Sequence, residues 1–384
     1  MECVSLMKIE RFELERWMTR WELDVDYDIC ESGILPLSLG ELYTLIGPGP
    51  ASELEALITS MPQSYSEARG TLALRSVLAN TYTDVTPDDV LVTTGAIEAN
   101  FLVFNALLNP GDHVVAVSPA YQQLHSVPRA IGAEVDLWDV SVDGGGFAYD
   151  LERLEELLRP DTRMIVINTP HNPTGAILDS DQLNRVLELA RERDAWVLSD
   201  EAYRWLEHPG AEKLVEPARN RYEKAVSVGT MSKPFGMPGL RIGWFAANAT
   251  LANRAWGLRD YVSLSPSKIS DEVARVAIEH REAILPRNGK IMQENLQFAR
   301  SWFAEHADLA SWSEPRAALL AMMKYTAPVD STTLADRLAK EARVMLAPGS
   351  TFGLEGYLRI GIGQRQDLFA EGLRLTGEFL EGLH

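Results

Sequence analysis

The sequence predicts an α/β protein, with a large domain on a mostly parallel central sheet joined to a smaller α+β domain. Three observations carry this. Short apolar runs alternate with amphipathic helical patterns from about residue 65 to 265. Most of these runs are β-branched and lack polar alternation, as strands covered on both faces should be. The pattern then changes after Ser263-Leu264-Ser265-Pro266: a long helical stretch, about 267–305, precedes short strands at 319–324 and 357–362 and a terminal helix. A strand–helix alternation followed by a different pattern argues for two units of different class.

In order along the chain, residues 1–45 form an arm of aromatic and acidic character that is assigned to the small domain. Residues 46–265 form the large domain and 266–384 the C-terminal small domain. The strand runs are 90–93, 113–117, 134–138, 164–167, 196–199, 225–228 and 242–246, and clear helices lie at 151–158 and 181–193. Asp143-Gly144-Gly145-Gly146 reads as a turn and not as a phosphate loop. No internal repeat or low-complexity tract is present.

Composition bounds the function. The chain has 384 residues, 46% hydrophobic and 24% charged, which is ordinary for a globular protein of two domains. A net charge of −19 disfavours nucleic acid and anionic membranes, which ask for a basic face. It suits a cationic substrate, although most of it reads as solvated surface. Two cysteines, Cys3 and Cys30, fit a reducing cytoplasm. The seven histidines are scattered without HExxH or CxxC spacing, so no metal centre is expected. Residues 1–8 lack the pattern of a signal peptide, and Met7 is an alternative start to Met1. No run of apolar residues is long enough to span a membrane.

In open parallel sheets, ligands bind at the carboxyl ends of the strands, so the residues that follow each run are the candidates. After 90–93 comes Thr94-Gly95-Ala96-Ile97-Glu98, a glycine turn opening a helix. Its free amides would seat a phosphate, though a plain glycine turn reads equally well. After 113–117 comes Tyr121, which would stack on a flat ring or serve as an ordinary aromatic. After 164–167 comes Asn168-Thr169-Pro170-His171-Asn172-Pro173-Thr174-Gly175, a turn frozen by prolines and a glycine. It presents the Asn172 amide as a donor to a phenolate oxygen, with His171 as a structural neighbour.

After 196–199 comes Asp200-Glu201-Ala202-Tyr203. A carboxylate at a buried strand end is costly unless paired; a pyridinium N–H is a fitting partner, and a helix N-cap is the other reading of Asp200. Run 225–228 leads into Thr230-Met231-Ser232-Lys233, and Arg241 follows on a Gly/Pro-rich loop. Hydroxyls and a guanidinium suit a phosphate monoester, and an amine can form a Schiff base with an aldehyde. Pyridoxal phosphate (PLP) carries both groups; a surface lysine and arginine are the plain alternative. Arg359, within the strand at 357–362, suits either a grip on a substrate carboxylate or a structural salt bridge.

Together these pieces resemble the fold-type-I, PLP-dependent aminotransferase family of classes I and II, over nearly the whole chain. The Asn-Pro-x-Gly turn, the Asp-x-x-Tyr pair, the Thr230-Met231-Ser232-Lys233 segment and Arg-x-Gly stand in the family's order. The resemblance implies that Lys233 binds the cofactor aldehyde and then moves the proton at Cα. It implies that Asp200 pairs with the ring nitrogen, Asn172 and Tyr203 bind O3′, and Tyr121 stacks on the ring. Gly95, Ala96, Thr230, Ser232 and Arg241 would hold the phosphate, with Ile97 beside them. Arg359 and Asn172 would meet the substrate's α-carboxylate. Tyr65 would reach the phosphate of a neighbouring subunit, which implies a homodimer with shared sites.

The arm is similar to that of capreomycidine-synthase-like enzymes, through Phe12-Glu13-Leu14-Glu15-Arg16-Trp17 and Glu31-Ser32-Gly33-Ile34. Those enzymes eliminate a β-substituent from a hydroxylated arginine and close a ring. Glu13 or Glu31 is expected to bind a distal cation of the substrate, with Ser32 and Gly33 shaping the wall; a solvated acidic helix is the other reading. The best single reading is amino-group transfer from an L-amino acid to a 2-oxo acid. The alternative is β- or γ-elimination with cyclisation of a cationic amino acid, of hydroxyarginine or sulfonium type. A PLP-sensing regulator is a remote third, set aside because the charge is strongly negative and no helix-turn-helix precedes the arm.

Overall fold

A computed structural model describes residues 8–143, 146–211 and 213–383. Cys3, both candidate starts Met1 and Met7, and the turn glycines Gly144 and Gly145 lie outside the described residues.

The first strand, β1 (Tyr27–Asp28), belongs to the arm. Eight strands form the central sheet: β2 (Val90–Thr93), β3 (His113–Ser118), β4 (Glu134–Asp143), β5 (Gly146–Tyr149), β6 (Thr162–Asn168), β7 (Trp196–Asp200), β8 (Ala225–Thr230) and β9 (Gly243–Ala246). Their order across the sheet is β2-β9-β8-β7-β6-β3-β4-β5. Strands β4, β3, β6, β7 and β8 run parallel. Strand β9 is antiparallel to both its neighbours, and β5 is antiparallel to β4.

Every residue of β2, β7 and β8 is buried, which explains their unbroken apolar runs. The helix Ser180–Glu192 lays Leu183, Val186, Leu187 and Leu189 onto the main core, and Asp179 and Gln182 close its first turn as a reciprocal cap. The hairpin β4–β5 extends beyond the expected runs. Strand β4 continues past Trp138 and turns back, so that Val140 pairs with Tyr149. With four residues, β5 is too short for its alternation to stand out in the sequence.

Five strands lie in the C-terminal part: β10 (Ala310–Trp312), β11 (Leu320–Tyr325), β12 (Val344–Met345), β13 (Ala347–Pro348) and β14 (Tyr357–Gly361). Four of them form an antiparallel sheet in the order β10-β11-β14-β13, and β12 pairs in parallel with β1 of the arm. The helical stretch expected at 267–305 is two helices, Lys268–Glu279 and Arg281–Glu305, separated where His280 leaves helical geometry.

The arm helix Glu13–Trp21 buries Leu14 and Trp17 in a second core, shared with the C-terminal elements. The indole N–H groups of Trp17 and Trp21 both donate to Asp336 Oδ1, at 2.8 and 2.9 Å. This fixes the register of the helix and therefore which face it turns to the large domain. A third core joins Leu37, Leu42 and Leu54 to Val273, Ile278 and Ile284. Among the described residues, no helix is long and apolar enough to cross a membrane.

Candidate active site

The carboxyl ends of β2, β3, β6, β7 and β8 converge on one cavity of about 660 Å³. Each strand delivers its residue through the turn that follows it. After β2, Gly95 takes φ 80° and the helix Ala96–Leu107 begins, leaving its first amides free toward the cavity. A Cβ on Gly95 would lie 2.7 Å from Arg241 Nη2, and one on Gly243 would lie 2.3 Å from the carbonyl carbon of Gly95. The two loops therefore touch only because both positions are glycine. After β8, Thr230 Oγ1 donates to Ser232 Oγ at 3.1 Å, and both side chains are buried. Arg241, held at φ 52°, donates to the carbonyl of Pro238 at 3.1 Å.

Asp200 closes β7. Its Oδ2 accepts from Asn100 Nδ2 at 2.9 Å, and its Oδ1 accepts from the N–H of Ala202 at 3.1 Å. The helix N-cap reading fails, because a turn and no helix follows. Burial pushes the Asp200 carboxyl above the usual carboxylate range, against the pull of Asn100, Ala202 and the Lys233 charge. Asn168 fixes the neighbouring turn: its Nδ2 donates to the carbonyl of Asp200 at 2.9 Å, and its Oδ1 accepts from the N–H of Asn172 at 2.8 Å. Burial lowers His171 to about 3, so its imidazole stays neutral, bonded to Thr174 and outside the cavity lining.

Lys233 Nζ donates to Ser32 Oγ at 2.7 Å and lies 3.6 Å from Glu31 Oε1. Ser32 also hydrogen-bonds Tyr203, whose phenol is pushed up chiefly by burial. The Tyr121 hydroxyl donates to Glu15 Oε1 at 2.9 Å, and its ring packs 4.8 Å from that of Phe12.

The cavity lining thus brings together Gly95, Ala96, Ile97, Tyr121, Asn172, Asp200, Tyr203, Thr230, Ser232, Lys233, Arg241 and Glu31. Four expected residues stand elsewhere. Arg359, on β14, is buried behind the wall, where Nη1 donates to Asn172 Oδ1 at 3.3 Å and Nη2 to the carbonyl of Cys30 at 2.9 Å. It makes no salt bridge among the described residues, so that alternative is gone. Gly33 sits beside the lining with its N–H bonded to Glu31. Tyr65 is 85% exposed and away from the cavity.

Glu13 is the correction. It is exposed and does not line the cavity; Glu15, Met18 and Glu22 do. On a helix, spacings of three and seven return to one face, whereas Glu13 and Glu15 point to nearly opposite faces. With Leu14 and Trp17 buried, Glu15 is the acid turned to the cavity. Glu15 and Glu22 are among the acidic arm residues, with Asp24, Asp26 and Asp28, that favour a cationic substrate in the sequence; Asn100 is the residue that the sequence reading missed. Asn100 lies in the largely apolar helix Ala96–Leu107, where Asn105 is a second amide, so the sequence alone does not single it out; it is 1% exposed.

The family pattern described as aminotransferase class I and II matches residues 37–370. The chain belongs to that family. Its members use pyridoxal phosphate, and this aminotransferase-family enzyme is a PLP enzyme. It is 33% identical to a capreomycidine synthase from Streptomyces vinaceus, over 97% of this chain and 94% of the relative. A PLP-dependent aminotransferase from Streptococcus suis 89-1591 superposes with a TM-score of 0.93 at 36% identity, covering 98% of this chain and 99% of that one. The PLP-dependent cyclase OrfR superposes at 0.88 with 31% identity, over 99% and 100% of the two chains.

The residues present fit the cofactor. The open helix start at Ala96, two hydroxyls and Arg241 surround a cradle that a Cβ on Gly95 would obstruct. Asp200 is a buried carboxylate with no salt bridge among the described residues, which is what a protonated ring nitrogen would complete.

Proposed function

We propose that this enzyme acts at Cα of an L-amino acid with a cationic side chain, and that elimination with ring closure is the reaction its site serves. The carrying observation is that Glu15, Glu22 and Glu31 line the same cavity as Lys233. Three carboxylates facing one cavity attract a cationic ligand. The similarity to a capreomycidine synthase and a PLP-dependent cyclase over nearly the whole chain, arm included, supports ring closure.

Bound PLP supplies a sink for the electrons of the Cα–H bond. The chain's own residues do the rest. Ala96, Thr230, Ser232 and Arg241 would bind the phosphate, Asp200 would keep the proton on the ring nitrogen, and Asn172 and Tyr203 would orient the ring. Lys233 Nζ would hold the cofactor's aldehyde and, once released to the substrate, would move the proton at Cα. Arg359 orients the substrate's α-carboxylate with Asn172, and the arm excludes water from above.

Amino-group transfer to a 2-oxo acid, the best reading of the sequence alone, is the second reading; it is favoured by the 36% identity to a protein described as an aminotransferase. The proposal extends to a homodimer in which exposed Tyr65 reaches the neighbouring subunit's phosphate site. It extends to the division 1–45, 46–265 and 266–384, supported by separate cores on the central sheet and on the C-terminal sheet, with the third core packing across both boundaries. It extends also to the cytoplasm, supported by the free, buried Cys30.

The test is to incubate the PLP-bound protein with hydroxyarginines, sulfonium amino acids and neutral controls, with and without a 2-oxo acid, and to weigh the products. A product lacking the leaving group, formed without a 2-oxo acid, supports the proposal. Conversion that depends on the added 2-oxo acid supports the second reading.

A further inference from the structure

Glu31 has a rigid backbone and a side chain that folds back into the site. Asp28 Oδ1 accepts from the N–H groups of Cys30 and Glu31, both at 3.0 Å, and the N–H of Gly361 on β14 donates to the carbonyl of Ile29 at 2.8 Å. A Cβ on Gly361 would lie 2.2 Å from the Glu31 carbonyl oxygen, so β14 packs directly on this peptide. From that fixed point the half-buried side chain places Oε1 2.8 Å from the Gly33 N–H, its donor, and 3.6 Å from Lys233 Nζ. Burial raises the Glu31 carboxyl, but the charges of Lys233 and Arg359 and the Gly33 N–H outweigh it and hold it below the usual range. Buried Arg359 has an Nε without a hydrogen-bond partner among the described residues. The Gly33 N–H and the nearby Arg359 charge suit a carboxylate, and the chain's own carboxylate accepts from that N–H.

We propose that Glu31 is a specificity-determining residue: it occupies the substrate's carboxylate seat and yields it to an amino acid whose cationic side chain takes the displaced Glu31 up. This rests on the cationic substrate argued above. A neutral amino acid must turn Glu31 away from the Gly33 N–H and the Arg359 charge, which remain in place when Lys233 is on the cofactor, toward the other carboxylates of the cavity, where like charges oppose it. A cationic one offers a new partner in the same cavity. Discrimination then comes from an exchange of partners and not from a static pocket.

Arginine and citrulline have the same shape and differ in charge, so they separate the terms. Their binding to the PLP-bound protein is measured by calorimetry in wild type, Glu31→Gln and Glu31→Ala, with arginine methyl ester as the ligand that lacks a carboxylate. The alanine variant is needed because a glutamine oxygen can still accept from Gly33. Equal melting temperatures establish that the variants fold. The proposal expects citrulline to bind roughly tenfold tighter in the variants, the worth of about one charge-assisted hydrogen bond. It expects the arginine-to-citrulline preference to fall by a similar factor and the ester to gain nothing. If wild type prefers arginine and both variants keep that preference with citrulline no tighter, the exchange is overturned and the cationic substrate stands. If wild type binds arginine and citrulline equally, the cationic substrate itself is wrong, and the exchange falls with it.

Discussion

The floor and the roof of the cavity are built on different principles. The floor consists of strand ends of one buried sheet: Thr230, Ser232 and Asp200 are each less than a tenth exposed and tied by short internal bonds. The roof is the arm, held to the large domain by bonds at the surface. The N–H of Glu13 donates to Gln122 Oε1 at 2.9 Å, Gln122 Nε2 donates to the carbonyl of Arg11 at 2.8 Å, and Ser126 Oγ donates to Glu10 Oε2 at 3.1 Å. Exposed contacts of this kind open at low free energy, whereas the sheet opens only with global unfolding. The floor therefore suits a permanent cofactor, and the roof suits a substrate that enters, is discriminated and leaves.

Breaking the floor should cost most. Lys233→Ala should lower turnover by at least about 10²–10⁴-fold, the range for losing a positioned acid–base group. Borohydride reduction and peptide mapping of wild type should place the cofactor on Lys233; a label on another lysine contradicts the assignment. Asp200→Asn should raise the barrier by several kcal/mol, each ~1.4 kcal/mol being tenfold. It should also stabilise the cofactor-free protein. Because burial raises the folded-state pKa of Asp200, the charged form costs stability once pH exceeds the unfolded value, and the cost is full above the folded one. The gain in melting temperature should thus appear at pH 8 and vanish near pH 4. A variant less stable than wild type at pH 8 contradicts this.

The roof should respond less. Tyr121→Phe removes the bond to Glu15, worth about 0.5–1.5 kcal/mol. Hydrogen exchange in the arm helix Glu13–Trp21 should quicken several-fold, while exchange in β7 and β8 stays unchanged. Equal changes in both places would erase the distinction between floor and roof.

The same contrast governs what was legible in the sequence. Floor residues are read easily because each follows a buried strand directly: the apolar run announces the strand, and the next residues must carry the chemistry. Asn100 escaped because its partner, Asp200, lies far along the chain and only the fold brings them together. The roof depends on helix phase. The acidic residues of the arm are visible, but the choice of Glu15 over Glu13 is made by Trp17 and Trp21 docking on Asp336, a contact more than 300 residues away. Arg359 is read correctly as lying in a buried strand, yet nothing local reveals that it bonds to Asn172, which lines the cavity, and does not line the cavity itself. Likewise β5 exists only as the partner of β4.

The central claim is that the floor binds the cofactor while the roof selects the substrate. The direct measurement is the double variant Glu15→Ala, Glu22→Ala, with PLP affinity and the kcat/KM ratio for a cationic over a neutral amino acid determined on the same preparation. The account predicts that PLP affinity is unchanged and that the ratio falls by at least about tenfold, as expected for losing charge-assisted contacts in a partly dry site. An unchanged ratio, or a loss of PLP affinity as large as the loss of preference, would contradict it.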